Sequence, residues 1–374
     1  MDMEYVNNNT EAFFSLLKTG LWEKNITLSS PKKIDFAEVY RLAEEQSVLG
    51  VILAGLEHSD VKPPQELLLQ WIGNVQILEQ TNKAMNAFLA DLVENMRRED
   101  IYTLLVKGQG IAQCYERPLW RASGDVDFYL SDANFAKAKT YFRPLVDTFD
   151  PDNEYTKHIN MHYGEWVVEI HGNQYCSLSK SVNRVMDEIH CDLFCSGKVR
   201  NWLNGNTLIF LPSVDNDVLI IFIHFLNHFY KGGIGLRQIC DWCRLLWTYK
   251  DSLNLGLLES RIRKMGLMSE WKAFGAFAVD YLGMPSEAMP MYSANARWKK
   301  KAYKICSFIL EVGNMGHNRD TSYFEKYPYL IRKVCSMWRR CGDLIHHAQI
   351  FPLDSLRFFP RIMFNGMRSA MRGE

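Results

Sequence analysis

The chain has 374 residues, and its 43 lysines and arginines balance 43 aspartates and glutamates. That length can bury a large core and hold two or three subdomains, while the zero net charge excludes the global basic field that drives bulk nucleic-acid binding. Hydrophobic content of 47% and charged content of 23% are those of an ordinary globular chain, neither disordered nor membrane-embedded.

The first residues, Met1 to Tyr5, are acidic and carry no signal-peptide core, so a cytoplasmic location is expected. Residues 36–56 repeat apolar side chains at helical spacing. Pro63-Pro64 opens a long helix toward Arg98, whose stripe of Val75, Leu78, Met85, Leu89, Leu92 and Met96 reads as core. Glu99-Asp100 leads into a strand over 101–106. Lys107-Gly108-Gln109-Gly110 then makes a Gly turn and opens a short helix, and Arg121-Ala122-Ser123-Gly124 leads into a second strand carrying Asp125 and Asp127. A helix is predicted over 132–142 and a polar turn over 150–153. Strands 158–162 and 166–171 should form a hairpin about Tyr163-Gly164-Glu165, the second carrying Glu169 and His171.

From Ser179 onward helices are expected to dominate. Residues 214–230 are strongly apolar and should cross behind a cleft; within them residues 218–225 form the best apolar run, too short to span a bilayer. His224 and His228 sit four apart, as metal ligands can, but the residues between them lack the glutamate of the metalloprotease motif, so packing or polar contacts at the cleft are expected. Lys231-Gly232-Gly233 breaks the helix. The next, over 235–249, presents Arg237 and Asp241 four apart, as an ion pair bracing the helix would. It also contains Cys240 and Cys243, which lack a second pair and read as packing. Nine cysteines, an odd number scattered along the chain, suit reduced thiols. The last third is locally basic, at Arg297, Lys299 to Lys301, Lys304, Arg332, Lys333, Arg339 and Arg340. A solvated helix face is the default there, with RNA or an acidic glycan as the less favoured reading. The tail over 351–371 is apolar and basic, as a segment on a membrane surface is. Docking onto the helical domain is preferred, because Pro352 and Pro360 should interrupt a long amphipathic helix.

The chemistry concentrates on three acids. With a strand period of two, Asp125 and Asp127 share one face, while Val126 and Phe128 point into apolar packing. Two like charges side by side on a half-buried strand repel, and a divalent cation relieves that repulsion. Hard oxygen ligands suit Mg²⁺ or Mn²⁺. Glu169 completes the set if its strand lies beside the first. The Gly108 turn offers backbone N–H groups and Lys107 a point charge, both suited to phosphate.

In the order strand, Gly turn, helix, Asp-x-Asp strand and third acid strand, the chain resembles the nucleotidyltransferase fold of the DNA polymerase beta superfamily. Val106-Lys107-Gly108, Tyr115, Pro118, Arg121, Asp125-Val126-Asp127 and Glu169-Ile170-His171 resemble more narrowly an uncharacterised bacterial branch of nucleotidyltransferase family proteins. Pro212, His224 and residues 236–241 continue the pattern, and the resemblance spans residues 101–246. Two positions depart from it. Gly108-Gln109 stands where Gly-Ser or Gly-Gly is usual, and Gly172 where an aromatic often follows the acid-hydrophobic-His element.

The resemblance implies an α+β fold with a mixed sheet core over 101–212, between an N-terminal helical region (1–100) and a C-terminal helical domain (213–374). It implies transfer of a nucleoside monophosphate from an NTP to a hydroxyl acceptor. Asp125, Asp127 and Glu169 would hold two divalent cations. Lys107, Gly108 and Gln109 would hold phosphates, Arg121 would meet the leaving pyrophosphate, and Arg237 would lie over the phosphates or base. His171, His224 and Asp241 would support the site. A catalytically silent nucleotide-binding regulator on the same fold, or a phosphotransferase, are the competing readings. The acceptor, the preferred base and the oligomeric state are not legible.

Overall fold

The computed structural model describes residues 8–25, 28, 34–150, 157–173, 175–316, 318 and 327–371. Among the described residues the chain opens with four helices: α1 (Asn8–Trp22), α2 (Phe36–Glu45), α3 (Leu49–Glu57) and α4 (Gln65–Arg98). The periodic run over 36–56 is thus two helices. Asp35 caps the first by accepting from the N–H groups of Ala37 and Glu38. The long α4 runs as expected, with Pro64 as its entry residue.

The sheet follows. Strands β1 (Leu104–Val106), β2 (Val126–Tyr129), β3 (Thr148–Phe149), β4 (His158–Tyr163) and β5 (Trp166–His171) lie in the order β1-β2-β5-β4-β3. β2 and β5 are parallel and the other pairs antiparallel, giving the expected mixed sheet. The β4–β5 hairpin turns at Gly164, which has φ +59°, a conformation glycine adopts freely. The polar turn expected over 150–153 lies, after Asp150, outside the described residues. Short α5 (Gly108–Ala112) follows β1, and α6 (Asp132–Phe142) follows β2 with Ser131 capping it. One sheet face, with Leu105, Val126, Phe128, Ile159, Met161, Val168 and Ile170, packs on α4 and α6. The opposite face is left for the site.

After α7 (Lys180–Cys195) the chain forms an antiparallel hairpin, β6 (Val199–Asn204) and β7 (Thr207–Pro212), where mainly helix was expected. β7 packs against β1 and sends Ile209 and Leu211 into the sheet core. Then come α8 (Val214–Lys231), α9 (Leu236–Thr248), α10 (Leu255–Met265), α11 (Met268–Leu282), α12 (Ala296–Val312), α13 (Tyr329–Ile350) and α14 (Pro352–Met371). Pro352 begins α14, and Pro360 lies inside it rather than ending it. The N-terminal and C-terminal helices share one apolar core; Trp22 of α1, for example, donates to Leu282 O of α11 at 2.6 Å. Among the described residues no helix is long and apolar enough to cross a membrane.

Candidate active site

The parallel pairing of β2 with β5 puts Asp127 beside Glu169, and the antiparallel pairing with β1 puts Val106 on its other side. Asp125 enters just before β2 on the same face. One carboxylate oxygen from each of Asp125, Asp127 and Glu169 lies within 4.8 Å of the others. The three acids expected to converge do so. They floor a cavity of about 440 Å³ roofed by α8 and α9.

Lys107 leaves β1 with φ +57°, and Gly108 follows with φ +42°. A lysine in that region costs about 1 kcal/mol or more, strain typical of functional turns. The turn aims Lys107 Nζ at Asp127 Oδ1, 2.6 Å away, so the expected phosphate contact is held by an acid in this state. Gln109 turns away from the cavity. Its side chain is buried and donates to Asn82 Oδ1 on α4 at 2.9 Å. Only its backbone remains available to a phosphate. Gly110 allows close packing, because a Cβ there would lie 2.8 Å from Leu211 Cδ2.

Two histidines join the acids. His171 Nε2 is 3.0 Å from Asp127 Oδ1 and 3.4 Å from Glu169 Oε2. His158, which faces His171 across β4–β5 and stacks on its ring at 4.5 Å, places Nε2 3.2 Å from Glu169 Oε2. His158, Glu169 and His171 thus form a second group of converging ligand atoms that shares Glu169. Burial would raise the Glu169 carboxyl, but these two imidazoles hold it well below the usual range. Burial would likewise lower His171 and Lys107. Asp127 and Glu169 win in both cases and keep them more basic than usual. Asp125 is shifted the other way, up, by burial and then by Asp127. Gly172 has no room for the aromatic often found after this element: a Cβ would lie 3.0 Å from the ring of Phe135.

The cavity roof comes from one face of α8, where Ile221, His224, His228 and Lys231 recur at helical spacing with Asn227 beside them. Burial and the Lys107 charge push both imidazoles down, His228 to about 4, so α8 presents them neutral. From α9, Arg237 and Asp241 also reach the cavity, but they are not the pair that helical spacing suggested. Asp241 is held from β2's approach loop: Arg121 donates to it through Nε at 3.0 Å and Nη2 at 2.6 Å, and Tyr115 Oη donates at 2.8 Å. Arg121, expected at the leaving group, has its charge balanced by this buried pair. Arg237 donates instead to Ala122 O at 2.9 Å, and its buried Nε has no partner among the described residues. Burial and the neighbouring Arg121 depress its pKa, so an anion beside it would be stabilising.

Asn82 is the organising residue that sequence reasoning passed over. It is fully buried on α4, donates to the carbonyls of Leu119 and Arg121 at 2.7 and 2.9 Å, and accepts from Gln109 and Ser123. All its bonding capacity ties the turn to the acid strand's approach. The signal was a polar residue at position 82 of the α4 stripe, between Leu78 and Met85.

With this geometry in hand, comparison with known families assigns the class. The sequence model of a family described as uncharacterised nucleotidyltransferase matches residues 32–283, more than half of the chain and well beyond both ends of the resemblance read from motifs. The chain belongs to that family of transferases. No curated protein and no solved structure matched it.

Proposed function

We propose that the chain moves a nucleoside monophosphate from an NTP to a hydroxyl acceptor, with Asp125, Asp127 and Glu169 as the acids at the reacting phosphate. The observation that carries this reading is the convergence of three carboxylate oxygens within 4.8 Å at the floor of the cavity. The donor set is all hard oxygen, with imidazole nitrogens of His158 and His171 beside it, and fits Mg²⁺ or Mn²⁺. Asp125, Asp127 and Glu169 would hold the cations, which when bound supply Lewis-acid polarisation at the α-phosphate and a more acidic attacking hydroxyl.

The chain's own residues then position the reactants. Lys107 would leave Asp127 for the β- and γ-phosphates, with the Gly108 turn beneath them. Arg237, whose Nε lacks a partner, would meet the same phosphates from α9. Arg121 and Asp241 would act as a brace that keeps the approach to Asp125 in register with α9. His171 would orient Asp127 and Glu169, and the neutral His224 would close the site from α8. Lys231 lies seven residues beyond His224, roughly 10 Å along the helix. It lines the same cavity and would be left for an acceptor. The acceptor hydroxyl gives up its proton to solvent as its oxygen attacks the α-phosphorus, the bond to the bridging oxygen breaks, and pyrophosphate leaves.

Calorimetric titration of the four ribonucleoside triphosphates, with and without Mg²⁺, tests this. One triphosphate should bind in a metal-dependent way, and the Asp125→Asn, Asp127→Asn double variant should lose that binding. A folded wild-type protein that binds none of them would refute the transferase reading and favour a silent regulator. Release of nucleoside diphosphate instead of pyrophosphate would make it a phosphotransferase.

A further inference from the structure

The C-terminal hairpin of α13 and α14 turns apolar side chains outward. A surface helix ordinarily buries its apolar stripe and exposes its polar one. On α13 the outward positions are Ile331, Val334, Trp338 and Ile345, spaced as one helical face, with Val334 65% and Trp338 80% exposed. Arg339, Arg340 and Asp343 are less exposed than that stripe, and His347 is buried. α14 is apolar on two sides. Phe358 and Ile362 enter the core, and Arg357 Nη2 pins the helix by donating to Met265 O at 2.9 Å. Its outer line is Leu353, Leu356, Pro360, Phe364 and Met367, with Leu353 80% and Leu356 66% exposed.

Single exposed leucines need no explanation, but two helix-long stripes do. Each covers 15 residues from first to last apolar position, roughly 20 Å. The charge on the same hairpin selects the occupant. Residues 329–371 carry seven lysines and arginines against two aspartates, while the whole chain is balanced, so the remainder is net acidic. Two copies meeting through this hairpin would bring like charge together. An anionic surface with an apolar interior satisfies both features, and because no described helix can cross a bilayer, the hairpin would lie flat.

We infer that the α13–α14 hairpin docks the enzyme on a membrane surface containing anionic lipid. Trp338, Leu353, Leu356 and Phe364 enter the acyl boundary, and the net positive charge of the hairpin draws it to the anionic headgroups. Ser177, next in sequence to the cavity-lining Cys176, accepts from Asn365 Nδ2 of α14 at 3.1 Å, so the docked hairpin is joined to the flank of the cavity.

Co-sedimentation of the full chain with vesicles of phosphatidylcholine, alone or mixed with phosphatidylglycerol, tests the inference. The protein should pellet with the mixed vesicles, less so as salt rises, and weakly with phosphatidylcholine alone. Trp338→Glu with Leu356→Glu should reduce partitioning by about a hundredfold or more. The thermal melt should be unchanged, since both side chains are exposed. Failure of the wild type to bind either vesicle would overturn the inference. So would binding that the double variant leaves intact. Self-association in sedimentation velocity, lost in the variant and without vesicle binding, would assign the stripes to a second copy instead.

Discussion

Glu270 should make stability fall as pH rises through neutrality. Its side chain is fully buried at the start of α11, where Tyr230 Oη of α8 donates to Oε1 at 3.0 Å. Among the described residues Oε2 has no donor facing it, and the neighbouring acid is Asp354 of α14. Lys301 of α12 senses both carboxylates, itself pushed down by burial. Burial, reinforced by Asp354, lifts the Glu270 carboxyl from 4.5 to about 8, so the acid is folded in with its proton, which Oε2 can share with Asp354. The unfolded chain releases that proton near pH 4.5 and the folded chain only near 8. Between those values the folded state binds one more proton. The contribution is therefore fully present at low pH and is lost at about 1.4 kcal/mol per unit as pH rises, up to about 5 kcal/mol in all. Glu270→Gln keeps the shape, accepts from Tyr230 and donates toward Asp354, with no proton to lose. Urea unfolding followed by circular dichroism between about pH 5 and 8.5 should show a falling stability in the wild type. The variant should be flatter and more stable at the upper end. Parallel pH profiles for the two proteins would refute the reasoning.

Asp241→Ala leaves the buried Arg121 guanidinium and Tyr115 hydroxyl without their acceptor and should cost about 3–5 kcal/mol in chemical denaturation, whereas Tyr115→Phe should cost about 1. Gly55→Ala would drive a Cβ to 2.1 Å from Leu16 O where α3 crosses α1, so it should destabilise by about 3 kcal/mol or prevent folding; Gly73→Ala, inside α4 with nothing within 4 Å, is the control and should stabilise by up to about 1 kcal/mol. Lys107→Met removes the cation paired with Asp127. In the absence of nucleotide it should tighten Mn²⁺ binding by about tenfold in calorimetry, and it should weaken triphosphate binding when metal is present. Weaker Mn²⁺ binding in that variant would show that Lys107 does not compete for the acids.

What was legible in the sequence was local or periodic. Asp125 and Asp127 could be placed on one face because strands repeat every two residues, Glu169 only on the condition that its strand lay beside theirs, and the hairpin at Gly164 because its two strands are adjacent in the chain. The Arg121–Asp241 pair joins residues 120 apart, and helical spacing suggested a different partner for Asp241. His158 becomes a site residue only through the β4–β5 register, which fixes it opposite His171. The β6–β7 hairpin did carry a signal, Asn204-Gly205 between alternating runs, and Gly205 has the positive φ that such a turn requires. Pro360 was expected to break a helix that runs through it, on the exposed stripe of α14.

The acids also revise the reason for expecting a metal. Repulsion between Asp125 and Asp127 suggested that a cation must neutralise the pair, yet Lys107 and His171 already contact Asp127, and His158 and His171 contact Glu169. Charge repulsion alone therefore does not call for a metal, and an Asp-x-Asp strand balanced in this way can fold without one. The case for the metal rests on direction instead. Balancing one buried carboxylate takes one cation, whereas this fold spends a lysine in strained backbone, two histidines and three strands to bring three carboxylates to one point. The point faces an open cavity whose opposite wall holds Arg237 with an unpaired Nε. Internal balance and metal binding are compatible if Lys107 changes partner, from Asp127 to a phosphate that arrives with its own cations. The site is then preorganised before the nucleotide binds, and the lysine carries charge to the phosphates without a change in backbone.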